Sequence, residues 1–233
     1  MTRQAERKLL ERYDVPTEHI KKSFNATLVE GFAEKFGSEG EKHAVVMYLD
    51  IARFSTRIQG WKAKDVADYL DAYYALALPI IAANCGKIDR VMGDGIVSVF
   101  SNFFHTDLDN DQVEDFAVNA AEQAVRKLYG TPASAKAAFG LGNMLFCKTG
   151  VADIYEEYTV VGHPLTMVYR LEAIAEENTL YMPDDSALAA RERQKTGNGG
   201  AATGPRWFIT KRFSENLPGL GETAIYKQTF REP

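Results

Sequence analysis

Apolar positions along this chain fall into two rhythms. Between Lys62 and Ala83 they recur at Val66, Tyr69, Leu70, Tyr73, Leu76 and Ile80, the spacing of a helix face, and the stripe stops before Gly86. Residues 44–49 form instead an almost unbroken apolar run, which predicts a strand covered on both faces. Residues 87–92 and 96–100 are β-prone runs on either side of Gly93-Asp94, the turn chemistry of a tight hairpin. Helices are further expected at 113–129, from Gly162 through Glu177 and at 186–195, and strands at 137–146, 149–155, 179–182, 207–213 and 224–230, the last two as an antiparallel pair. Residues 2–36 read as charged helix interrupted near Pro16, 37–42 as a polar linker, and 197–204 as a Gly- and Ala-rich loop.

This order of elements predicts an α+β fold, a largely antiparallel central sheet flanked by helices, with an N-terminal helical arm over 1–42 and a catalytic domain over 43–233. The 233 residues, 45% of them hydrophobic, suffice for one sizeable core. No apolar run is expected to span a membrane and no secretory leader is evident, so the expected setting is the cytoplasm with no membrane partner. Cys85 and Cys147 lack a metal or disulfide pattern and read as reduced, buried thiols. A net charge of −5 argues against long nucleic acid as a partner.

The chemistry begins with two acids. Asp50 ends the apolar run and Asp94 sits at the hairpin tip, free to lie beside it. Each alone has an ordinary reading, a helix cap for Asp50 and a turn residue for Asp94. Together they are two hard oxygen ligands, suited to Mg²⁺ or Mn²⁺ held by carboxylates and substrate phosphates.

These residues carry a resemblance. Tyr48-Leu49-Asp50-Ile51-Ala52-Arg53-Phe54-Ser55 resembles the first metal motif of class III nucleotide cyclases, and Arg90 through Gly93-Asp94 to Phe100 resembles their hairpin motif. Glu157 to Gly162, followed by Arg170-Leu171-Glu172, is similar to the third motif, where Gly opens a helix bearing a transition-state Arg. The likeness covers roughly residues 45–175, and the tail 217–230 resembles the closing strand. It implies a ferredoxin-like core, two Mg²⁺ or Mn²⁺ ions per site on Asp50, Asp94 and the Ile51 carbonyl, and attack of a ribose 3′ oxygen on the α-phosphate with loss of pyrophosphate.

The resemblance also assigns the remaining residues. Backbone N–H groups from Ala52 to Ser55, including Phe54, are expected to cradle the triphosphate, and Arg53, where the family usually has Gly, either adds a cation there or points to solvent. Arg170 is the counterpart of the transition-state Arg and Thr166 of an Asn that positions the ribose; both are supplied by the second subunit of a homodimer with sites at the interface. The basic residue many relatives place at the start of the strand containing residues 142–146 is taken to be missing. Arg90 and Thr159 occupy the base-reading positions and Tyr48 replaces a common Phe. Arg is donor-only, which suits the carbonyl-rich edge of uracil, unless Arg90 makes an inter-subunit salt bridge instead. A short chain with such a pocket resembles the pyrimidine cyclases of bacterial Pycsar anti-phage systems, whose cyclic UMP or cyclic CMP is read by a separate effector protein. UTP is thus the expected nucleoside triphosphate substrate; the alternatives are an adenylate or guanylate cyclase and a catalytically silent nucleotide-binding or dimerisation module.

Overall fold

The structure, a computed structural model, describes residues 36, 40–151, 155–196 and 207–230. The expected helical arm and the loop at 197–204 lie outside these residues. In chain order the elements are β1 (Glu41–Ile51), α1 (Phe54–Arg57), α2 (Ala63–Ala83), β2 (Lys87–Met92), β3 (Gly95–Phe100), α3 (Asn110–Leu128), β4 (Ala135–Val151), β5 (Tyr155–Val161), α4 (His163–Ile174), β6 (Thr179–Pro183), α5 (Ala187–Thr196), β7 (Trp207–Leu217) and β8 (Gly221–Phe230).

The strands form one sheet in the order β2-β3-β1-β4-β6-β8-β7, with β5 paired to β4 off this path. Among the described residues every pairing is antiparallel except β4 with β6. The α+β expectation therefore holds, with helices on both faces. Alternation along β1 divides the core. Val45, Met47, Leu49 and Ile51 enter the layer shared with α2 and α3, while Ala44, Val46 and Tyr48 enter the layer under α4. Asp50 continues the second series and emerges on the α4 face at the end of the strand.

Several boundaries differ from expectation. β1 starts at Glu41, two residues inside the expected linker. Residues 149–155 are not a separate strand: β4 runs on for 17 residues and the return strand begins at Tyr155. Nothing in the apolar pattern marks the crossing point, because β4 and β5 pair in register from Leu145↔Val161 to Val151↔Tyr155, beyond the sheet's main path. α4 stops at Ile174 rather than Glu177. The four-residue α1 was not foreseen, being too short to show a periodicity.

α4 lies directly on β4 because Gly140 lets it. A Cβ at Gly140 would stand 2.0 Å from the carbonyl oxygen of Pro164 at the helix start. α2 is long and apolar enough, by length and composition, to cross a membrane, contrary to expectation. In this fold it buries Tyr73, Ala77, Ile80 and Ile81 in the core beside α3.

Candidate active site

β1 and the β2–β3 hairpin deliver Asp50 and Asp94 to one point, and their side chains are hydrogen-bonded to each other. Burial, then the charge of Asp94, pushes the Asp50 carboxyl up to about 8. Burial raises Asp94 as well. Two carboxylates this close oppose one another's ionisation, and a cation between them would relieve that.

That is the donor set of a hard cation. Among the described residues no group of three or more His, Cys, Asp or Glu is placed to hold a metal. Two acids therefore need oxygens from elsewhere, and the Ile51 carbonyl beside them and the phosphates of a substrate would supply these. The residues present thus fit Mg²⁺ or Mn²⁺ arriving with a nucleotide.

The expected phosphate cradle is narrower than the sequence indicated. The Ala52 N–H donates to the carbonyl of Ser134 at 2.9 Å, which removes it from the set. Arg53, Phe54 and Ser55 remain, opening α1 where N–H groups have no partner within a helix. Arg53 adopts a left-handed conformation, φ 59°, which explains why Gly suits this position. Its side chain is 76% exposed and, among the described residues, its ion pair is with Glu177, 3.9 Å away, so its guanidinium points to solvent. Phe54 stacks on Tyr69 at 6.1 Å and Ser55 is exposed.

A basic residue does stand at the start of the long strand, correcting the expectation that it was missing. β4 begins at Ala135, and its second residue, Lys136, pairs with Asp50 across the ladder. Lys136 Nζ lies 3.5 Å from Asp50 Oδ2 and 2.8 Å from Glu172 Oε1 on α4. The sequence reading placed the strand's start at residue 137 and so stepped past it. Beside Lys136 a cavity of about 390 Å³ is lined by Ala52, Arg53, Ala175, Glu176 and Glu177.

The base-reading positions form a second cluster. Arg90 Nε donates to Asp89 Oδ2 at 2.7 Å, Arg90 donates through a terminal nitrogen to Thr159 Oγ1 at 2.6 Å, and the Thr159 hydroxyl donates to Asp89 Oδ1 at 3.1 Å. Asp89 is 2% exposed, and burial raises its pKa against the opposing pull of Arg90. Thr159 is also buried, its hydroxyl held between Arg90 and Asp89. Arg90 thus makes an ion pair with Asp89 within its own chain. Tyr48 packs edge-on against Tyr169 at 5.5 Å, and its hydroxyl fills the space where a Cβ at Gly95 would lie. The charge of Arg90 in turn bears on Tyr169, closing the group.

Thr166 and Arg170 lie one turn apart on α4, both exposed, and neither side chain has a hydrogen bond or ion pair among the described residues. The chain thus gathers Asp50, Asp94 and Lys136 at one place and Arg90, Thr159 and Tyr48 at another, while Thr166 and Arg170 face outward. Lys136, Glu172, Asp89 and Tyr169 were missed by sequence reading; an Asp directly before Arg90 was the one visible signal. Cys85 and Cys147 are free and only half-buried.

No family model matches the chain. An uncharacterised protein of Mycobacterium tuberculosis is 25% identical over 174 residues, 73% of this chain and 31% of that protein. The terminal-differentiation-specific adenylate cyclase of Dictyostelium discoideum is 31% identical over 87 residues, 37% of this chain and 4% of that protein. The chain thus spans less than a third of the length of these curated relatives. Among solved structures, the guanylate cyclase domain of RhGC from Catenaria anguillulae in complex with GTP superposes with a TM-score of 0.61 at 19% identity, covering 82% of this chain and 98% of that one. The adenylyl cyclase CyaB from P. aeruginosa gives 0.61 at 17% identity, with 82% and 96% covered, and the guanylyl cyclase Cya2 gives 0.60 at 18%, with 83% and 95% covered. The fold is that of the class III nucleotidyl cyclase catalytic domain.

Proposed function

We propose that this chain is a nucleotidyl cyclase acting on UTP to give 3′,5′-cyclic UMP and pyrophosphate. The observation that carries the cyclase reading is the Asp50–Asp94 pair, sharing a hydrogen bond beside Lys136 in a fold whose solved neighbours are cyclase domains. Asp50, Asp94 and the Ile51 carbonyl would hold the ions. Bound there, the ions supply a lowered pKa for the ribose 3′-hydroxyl and positive charge for the departing pyrophosphate. The 3′ oxygen forms its bond to the α-phosphorus as the bond to pyrophosphate breaks and the hydroxyl proton leaves to solvent. Lys136 faces the phosphates with a point charge, released from Glu172 as they enter.

Arg170 and Thr166 serve the site of a second copy, Arg170 spreading positive charge over the α-phosphate oxygens and Thr166 donating to the ribose. The support is their exposure, together with apolar surface left open nearby. Leu145 and Val161, directly paired on the β4–β5 arm, are both exposed, as are Val91 and Met92 on the edge strand β2. A homodimer covering these residues would build two composite sites.

Uracil is favoured by the cluster around Arg90. Asp89 and Thr159 each engage one nitrogen of the guanidinium, leaving its remaining N–H groups to face a base. Those groups only donate, matching the carbonyl oxygens of uracil and opposing the adenine amine. Guanine also presents two acceptors to an Arg fork, and here Tyr48 and Tyr169 favour the smaller ring. The product would act in the cytoplasm as an antiviral alarm read by a separate effector protein. Purified protein given Mn²⁺ and each of the four NTPs should release cyclic UMP from UTP; turnover of a purine alone would reject the pyrimidine reading, and turnover of none would reject the cyclase.

A further inference from the structure

Two consecutive tyrosines of α2 reach the proposed cation site from behind. The Tyr73 hydroxyl donates to the carbonyl of Leu49 at 3.2 Å, and Leu49 is the residue before Asp50. The Tyr74 hydroxyl donates to the carbonyl of Gly93, the residue before Asp94. Neighbouring positions on a helix point about 100° apart, so one ring passes beneath β1 while the next reaches the hairpin tip. Their ring centroids are 5.6 Å apart.

The carbonyl of one residue and the N–H of the next belong to a single rigid plane. Holding the Leu49 carbonyl therefore fixes how the backbone enters Asp50, and holding the Gly93 carbonyl does the same for Asp94. The second bond matters more, because Gly93 sits at φ 61° in a turn with no side chain of its own to restrain it. Both phenols remain donors. Burial, followed by the charges of Asp50 and Asp94, raises the Tyr73 pKa, and burial followed by Asp94 raises that of Tyr74.

We propose that Tyr73 and Tyr74 are positioning residues that set the separation and aim of the Asp50 and Asp94 carboxylates toward a divalent cation. The inference rests on the reading of these two acids as the cation ligands. It adds that α2, which contributes no ligand, determines how tightly the ion is held.

The test measures Mn²⁺ binding by electron paramagnetic resonance on the full chain with a non-cyclisable UTP analogue, for wild type, Tyr73→Phe, Tyr74→Phe and the double variant. Each single change is expected to weaken Mn²⁺ binding roughly five-fold, the effect of one lost hydrogen bond. Excess Mn²⁺ should return the turnover of each variant toward wild type. Tyr74 is only half-buried, so Tyr74→Phe keeps the test open if Tyr73→Phe unfolds. Unchanged Mn²⁺ affinity in a folded Tyr74→Phe and a folded double variant would overturn the proposal. An Asp94→Asn control separates the premise: if it binds Mn²⁺ as wild type does, the assignment of the acids as ligands fails whatever the tyrosines do.

Discussion

Asp50 and Lys136 face one another across the β1–β4 ladder, 3.5 Å apart, so the acid proposed to hold a cation and the base proposed to hold phosphate are neighbours before either ligand arrives. Glu172 completes the arrangement by holding Lys136 at 2.8 Å.

Lys136→Met is expected to lower kcat/KM for the nucleotide about 10- to 100-fold, the range for losing a charge-assisted hydrogen bond, with Lys136→Arg recovering much of it. Steady-state kinetics decide this. An unchanged KM and kcat would show that the phosphates bind elsewhere.

The pH dependence of stability follows from Asp50. Its folded pKa lies at about 8 against an ordinary 3.8, so its contribution is fully present below the ordinary value and is lost as pH rises through the folded one. The metal-free protein should therefore lose thermal stability between about pH 4 and pH 8, and Asp50→Asn should flatten that slope. Millimolar Mn²⁺ should restore stability at the alkaline end, where the proton no longer competes. A melting temperature that rises across this range in the wild type alone would contradict the assignment.

Composite sites make a prediction about mixtures. Asp50→Ala and Arg170→Ala proteins are each expected to be inactive, whereas equal mixing allowed to exchange subunits should restore about a quarter of wild-type turnover, because half the dimers are mixed and each holds one intact site. Absence of recovery despite demonstrated exchange would place Arg170 outside the site.

Asp89→Asn should loosen the fork that presents Arg90. The expected results are a loss of about 1–3 kcal/mol in stability, read by denaturant titration, and a lower ratio of UTP to GTP turnover. A destabilised enzyme with its substrate ratio intact would make Asp89 purely structural.

The acids were legible only as a pair: an Asp ending an apolar run and another at a Gly turn each have an ordinary reading alone, and it is their coming together that points to a cation. The antiparallel sheet was legible for a similar reason, through the runs at β1, β2 and β3. Lys136 was not, because a single misjudged strand start moved it from the site to a connection. Nor were Asp89 and Thr159 as partners: they are 70 residues apart, and only the folded chain brings β2 against β5. Tyr73 fitted the apolar stripe of α2 so well that its hydroxyl went unnoticed, and Tyr74, beside the stripe, offered no pattern at all. Ala52 failed as a phosphate donor for an equally non-local reason, its N–H having been claimed by Ser134.

The closed circuit of Asp89, Arg90 and Thr159 bears on how such an enzyme could change its substrate. Each side chain answers the other two, so replacing Arg90 alone strands a buried carboxylate, and replacing Asp89 alone frees a cation to swing. Under the proposed uracil preference, routes to a purine-accepting descendant pass through poorly folded or indiscriminate intermediates unless all three positions change together. Grafting a different base preference onto this chain is accordingly a three-residue substitution, to be built as one step and selected as one step.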